Sequence, residues 1–186
     1  MSFTSFILSA VAILLTPGPT NTLLAASGAA VGLRRALALP LAEAAGYAVA
    51  ISLFFSASDI LHEVPAATAV LKATAAAWLL FSASRLWRQP VVPSLSDHRQ
   101  SFRRVFITTL LNPKAMLVAT IVIPGLMAGY RMQALLIFIA LSTCAGMAWM
   151  AFGTMLPTRI RRHSYKAAAM VLVGFAIFAS AGALQT

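Results

Sequence analysis

Two short motifs carry most of the chemistry legible in this chain: Thr16-Pro17-Gly18-Pro19-Thr20-Asn21 inside one apolar stretch and Asn112-Pro113-Lys114-Ala115 inside another. Proline has no backbone donor, so a helix running through residues 17 and 19 leaves carbonyls that hydrocarbon cannot satisfy. Such a break must face protein or a water-lined cavity, which is how binding sites inside membranes are commonly built. Thr16, Thr20 and Asn21 at the first break, and Asn112 at the second, supply hydroxyl and amide groups that suit a carboxylate or an ammonium. The same groups can instead cap the backbone atoms that the prolines release, as Ser, Thr and Asn do at helix ends. The sequence leaves both roles open; on the binding reading the site is Thr16, Pro17, Gly18, Pro19, Thr20, Asn21, Asn112 and Pro113.

Two opposite charges lie at similar depth in the apolar stretches. Glu43 is the only acid well inside one, and a charge there costs on the order of 3 kcal/mol on insertion scales, so it should face the interior, be paired or be protonated. That makes it the coupling candidate for proton movement. Its other reading is a helix-end carboxylate, because it lies about seven residues, roughly 10 Å, from the boundary at Ala36. Lys114, about nine residues into its own stretch at 1.5 Å per residue, can neutralise Glu43. A pair of that kind is either part of the coupling or purely structural, since a buried ion pair can fix packing without adding stability.

Other chemistries lack their residues. Apart from Glu43 and Cys144 the apolar stretches hold no His, Asp or Cys ligands, which argues against a metal-ion carrier or a resident metal. No stretch combines a nucleophile with a base, so an intramembrane enzyme is not expected, and no cofactor motif occurs. His62, His98 and His163 fall between stretches, where solvated imidazole is the default. A single cysteine, Cys144, precludes an intrachain disulfide and reads as a buried structural thiol. Tyr47, Trp78 and Trp149 read as packing or interface aromatics, and Gly46, Gly146, Gly153, Gly174 and Gly182 as sites of close helix contact.

The elements that must position these residues are long and apolar. With 60% hydrophobic and only 10% charged residues and a mean hydropathy of +0.87, the chain has too little polar surface for a water-soluble globule. Charge-free runs predict an all-α integral membrane protein with six transmembrane helices at roughly 3–31, 36–58, 66–83, 105–128, 132–156 and 167–184. The first run lacks the basic n-region of a signal peptide and is expected to be retained. A linker at 87–104, rich in proline, serine and charge, divides a first three-helix unit (1–86) from a second (105–186). Arg34, Arg35, Arg85, Arg88, Arg99, Arg103, Arg104, Arg159, Arg161, Arg162 and Lys166 gather on one side, leaving Lys72 and Arg131 for the other. Lys/Arg excess marks the cytoplasmic face, so the linker is expected in the cytoplasm and both termini in the periplasm. The net charge of +10 therefore reads as membrane topology, with the lipid bilayer as partner and no nucleic acid.

Leu14-Leu15-Thr16-Pro17 is echoed by Leu110-Leu111-Asn112-Pro113 at half the chain length. With an odd number of helices in each half, this predicts two inverted three-helix repeats with helices 1 and 4 broken. The Thr16-to-Pro19 signature followed by Asn21, the Phe102-Arg103-Arg104-Val105-Phe106 lead-in and Asn112-Pro113-Lys114-Ala115 resemble the LysE/RhtB family of bacterial amino-acid exporters. The resemblance implies efflux of amino acids or close derivatives across the inner membrane, driven by proton antiport. Thr20 stands where many members carry Asp or Asn, and Pro40 and Glu43 where glycine is common. Six short helices are compatible with a homodimer. The competing expectation is a non-transporting membrane scaffold or accessory subunit, which would have no use for two proline-broken helices carrying polar side chains.

Overall fold

The computed structural model describes residues 3–63, 65–88, 98–123, 127–157 and 163–183. Among these the regular structure is helical throughout. Helix α1 (Phe3–Leu15) stops before the first proline motif and α2 (Pro19–Val31) starts on its second proline, the two meeting at a bend of 61°. Pro19 occupies the first turn of α2, where a missing N–H costs nothing. Gly32, at φ 80°, closes α2 by donating its N–H to the Gly28 carbonyl, a left-handed backbone that glycine adopts without steric penalty. After the single turn α3 (Leu33–Ala36) come α4 (Leu39–Glu63) and α5 (Pro65–Trp87).

The second half begins with α6 (His98–Leu110), which reaches back into the stretch predicted as linker. The linker prolines end at Pro93, and His98 to Arg104 contains nothing that breaks a helix. Residues 89–97 and Arg159, Arg161 and Arg162 lie outside the described residues. Asn112 and Pro113 interrupt the helix, which resumes as α7 (Pro113–Leu117) and a π-helical turn (Val118–Val122). A 3₁₀ turn (Ala128–Tyr130) leads into α8 (Arg131–Met155), and α9 (Ser164–Ala183) ends the described chain. Leu39–Ala57 and Arg131–Met155 are long and apolar enough to cross a membrane, and α1 with α2 makes a third candidate span when the bent pair is taken as one. Large apolar side chains such as Leu8, Leu53, Leu136, Phe152 and Ile177 face outward, as expected where lipid is the solvent.

Packing pairs the halves. Helix α8 lies against α1 and α2, α4 against α6, α7 and the π turn, and α5 along α9. The interior separates into two apolar clusters. One joins Phe6, Leu14, Tyr47, Ile51, Val118 and Phe138; the other joins Leu24, Leu39, Val105, Met150 and Leu172. Along α1–α2, α4, α6–α7 and α8, the chain passes from one cluster to the other through buried polar residues: Thr20 and Asn21, Glu43, Thr109 and Asn112, and Ser142. A polar layer therefore lies between two apolar cores, at the depth of both breaks.

Helix α2 meets α8 backbone to backbone. A side chain on Gly28 would run into the Met150 carbonyl, and one on Gly153 into the Ala25 carbonyl. Gly46 likewise makes room for Thr109, whose Cβ would lie 2.7 Å from an added methyl. Gly174, expected at such a contact, instead meets open space. Cys144, expected to be buried, is exposed. The buried residues of α8 recur about every four positions from Phe138 through Ser142 and Gly146 to Met150, and Cys144 falls on the opposite side. Replacing Gly28 or Gly153 by alanine should destabilise the purified protein by about 1–3 kcal/mol, the usual range for overpacking. Gly174→Ala should be neutral or slightly stabilising. Thermal melts in detergent would separate the two classes.

Candidate functional site

The first break is held together by donors from three other elements. Pro17 and Pro19 leave the last carbonyls of α1 without the N–H groups that a continuous helix would supply. The Asn21 amide, one turn into α2, donates to Leu14 O at 2.8 Å and to Thr16 O at 2.9 Å. Trp149 Nε1 on α8 donates to the same Leu14 O at 3.3 Å. The Lys114 ammonium on α7 donates to Thr16 O. Both Nδ2 hydrogens of Asn21 are thus committed to the backbone, the capping role that the sequence had left open. Hydroxyls close the flanking turns: Thr16 donates to Ala12 O at 2.7 Å and Thr22 to Gly18 O at 2.9 Å.

The second break is tied to the first. Asn112 caps α7, its Oδ1 accepting from Lys114 N at 3.0 Å, with Pro113 in the first turn. Asn112 Nδ2 reaches across to Thr20 Oγ1 at 3.1 Å. Thr109 Oγ1 lies 3.2 Å from Thr20 Oγ1 and donates to Val105 O at 2.8 Å. With the Thr109 hydrogen on Val105 O, the Thr20 hydroxyl is the donor toward Thr109, giving a run from the Asn112 amide through both hydroxyls to the Val105 carbonyl. Thr20, Asn21, Thr109 and Asn112 are all buried, in keeping with the low dielectric that strengthens such a network. Thr16 and Pro17 remain exposed, while Gly18 and Pro19 are buried.

Each charge rests against a glycine. An added Cβ on Gly18 would lie 3.1 Å from Lys114 Cε and 3.3 Å from Nζ. Glu43 is 1% exposed, and a Cβ on Gly146 would lie 2.5 Å from its Oε2, with Leu24 and Pro40 also around that position. No hydrogen bond joins Glu43 Oε2 to any described group, and the Lys114 ammonium points to the Thr16 carbonyl instead. Along the same α4–α8 seam, the Tyr47 hydroxyl and Ser142 Oγ are also buried without a partner. The Tyr47 ring meets Phe138 edge-on at 5.2 Å. Among the described residues no three His, Cys, Asp or Glu side chains converge as a metal site would require.

The structure brings Thr16, Gly18, Pro19, Thr20, Asn21, Asn112 and Lys114 to one place, and sets Glu43 against α8. Sequence reasoning missed Thr109, Trp149 and Ser142. Thr109 carried a signal, being a polar residue in the last turn before a broken helix. Trp149 and Ser142 carried none beyond ordinary membrane-helix composition. Asn21→Ala should cost about 1–3 kcal/mol by removing a donor from the buried contact to Leu14 O and another from Thr16 O. Asn21→Asp, which keeps the shape and loses the donors, should not rescue it. Thermal unfolding in detergent would measure both, and a neutral result for Asn21→Ala would show that Trp149 and Lys114 suffice.

A family model described as LysE type translocator matches residues 11–185. No curated protein and no solved structure gives a significant match. The family match runs through both breaks, Glu43 and every helix from the last turn of α1 onward. This multi-pass membrane protein, with its two proline-broken helices tied together in a buried polar layer, belongs to the LysE type translocator family.

Proposed function

We propose that the chain exports amino acids or close derivatives across the bacterial inner membrane by proton antiport. The observation that carries this reading is the polar layer itself: two broken helices, Thr16–Asn21 and Asn112–Lys114, meet between two apolar cores and are bonded to one another. A scaffold would gain nothing from interrupted helices at membrane depth, whereas a site that must bind and release polar cargo needs backbone and side-chain polarity there. Glu43 is the proton carrier in this scheme. It is buried in the same layer, with Lys114 on α7 as the charged group acting on it.

Six spans in two inverted three-helix repeats relate several of the contacts, while the packing of α2 on α9 has no comparable counterpart between α7 and α5. Exchanging the halves turns α1–α2 into α6–α7, α4 into α8 and α5 into α9. The contacts of α8 with α1 and α2 then become those of α4 with α6 and α7, and α5 against α9 maps onto itself. In this arrangement the basic gaps face the cytoplasm and both termini face the periplasm. Two copies in the membrane are compatible with the small size of the bundle.

Proteoliposomes holding the purified protein test the function directly. An imposed proton gradient should drive uptake or release of at least one amino acid in a panel of neutral, basic and hydroxylated types; no movement of any would end the exporter reading. Glu43→Gln keeps the side-chain shape and cannot titrate, so gradient-driven flux should vanish while cargo exchange persists. Gradient-driven flux with wild-type pH dependence in that variant would remove Glu43 from the coupling. Orientation is separately testable in a Cys144→Ala background, using the exposed positions Met132 and Arg99. A cysteine at Met132 should react with an impermeant thiol reagent outside intact spheroplasts, and one at Arg99 should not.

A further inference from the structure

We infer that Lys114 is the anchor for the carboxylate of the cargo, an inference that rests on the amino-acid exporter reading. It follows from a census of donors at the breaks. An ammonium has three N–H donors, and the one hydrogen bond that Lys114 Nζ makes among the described residues goes to the Thr16 carbonyl. The neighbouring groups are neutral, and their donors other than one Asn112 Nδ2 hydrogen are already committed. Both Asn21 Nδ2 hydrogens go to Leu14 O and Thr16 O, and the single Trp149 donor goes to Leu14 O. Asn112 Nδ2 and the Thr20 hydroxyl bond across the two breaks. Lys114 is therefore the group in this network that carries both a full charge and spare donors.

Its surroundings suit an anion that comes and goes. Lys114 is half-buried, and it lies beside the exposed residues Thr16 and Pro17. Gly18 offers no side chain to cover it. The 13-residue helix α2 starts at the same place, so the positive end of its dipole adds to the field of the ammonium. A cation in a membrane span normally pairs with an acid, yet Glu43 Oε2 makes no hydrogen bond and Lys114 uses a neutral carbonyl. A carbonyl is a weaker partner for an ammonium than a carboxylate, so an arriving carboxylate can displace or share it. The α-carboxylate of an amino acid has the charge and the acceptor oxygens for the two N–H groups that bond no described residue.

The test compares acids with their amides. Purified protein in detergent, without added anions beyond a low chloride buffer, is titrated with leucine, threonine and lysine and with leucinamide, threoninamide and lysinamide. Binding is followed by tryptophan fluorescence, Trp149 lying at the break, and by thermal shift. At least one acid should bind about tenfold to a hundredfold more tightly than its amide, the range expected for a charge-assisted hydrogen bond. Lys114→Gln should bring acid and amide to within about twofold, and Lys114→Arg should restore part of the preference because it keeps the charge. Gly18→Ala, which crowds the ammonium, should weaken the acid and spare the amide. Equal binding of acid and amide by the wild type, or an undiminished preference in a folded Lys114→Gln protein, overturns the inference while leaving the exporter reading intact. Competition by inorganic phosphate or chloride as strong as that by the acid assigns the site to a free anion and overturns it as well. If proteoliposomes move no amino acid at all, the exporter reading fails first.

Discussion

Everything in this structure depends on where two carbonyls find their donors. Leu14 O and Thr16 O sit where the proline-broken motif ends the helix, so they have lost the N–H groups four residues on that a continuing helix would supply. In water such carbonyls would be solvated at no structural cost. At membrane depth they need protein partners, and each unsatisfied group costs several kcal/mol in hydrocarbon. The partners come from α2, α7 and α8, so one local defect fixes the positions of three other helices. The break is not a flexible joint. It is a hub whose geometry is set by hydrogen bonds that reach 98 and 135 residues along the chain.

The two apolar clusters follow from that hub. Because α1 and α2 diverge by 61°, side chains on either side of the break cannot share one core, and each half-helix packs its own neighbours. Phe6 and Leu14 go with Tyr47, Ile51 and Phe138, while Leu24 goes with Leu39, Met150 and Leu172. The seam between the clusters is where polar residues are tolerable, and it collects Thr20, Asn21, Glu43, Thr109, Asn112 and Ser142. Close approach of α2 and α8 through Gly28 and Gly153 packs the second cluster. In lipid, where burial of apolar groups gives little drive between helices, such backbone contact is the main source of packing energy.

Much of this was legible in the sequence, because proline chemistry is local. The positions of both breaks, the helical ends beside them and the capping capacity of Asn21 and Asn112 need no tertiary information. What the Lys114 ammonium touches does need it: a pairing with Glu43 and a bond to the carbonyl of Thr16 are equally allowed by residue type, and the approach of α7 to Gly18 decides between them. The same holds for Trp149, an ordinary membrane aromatic until α8 brings its indole to Leu14 O. Cys144 was misjudged because an apolar span has no amphipathic stripe to show which side faces lipid. The start of α6 at His98 was missed for a related reason, since a basic segment without breakers reads equally as linker or as helix.

Gly18 and Gly146 show how opposite charges are kept in one layer without being joined. Each glycine occupies the position where a methyl would push against the charged group, so Lys114 and Glu43 are located by shape rather than by each other. A protein selected for stability alone would pair such charges closely or replace both by apolar residues, which is often neutral or favourable. Here the ammonium is held by a neutral carbonyl and Glu43 Oε2 by no hydrogen bond at all. Joining them would neutralise the layer. Keeping them apart stores an electrostatic imbalance at the breaks, where the backbone is already interrupted and the two halves of the molecule meet.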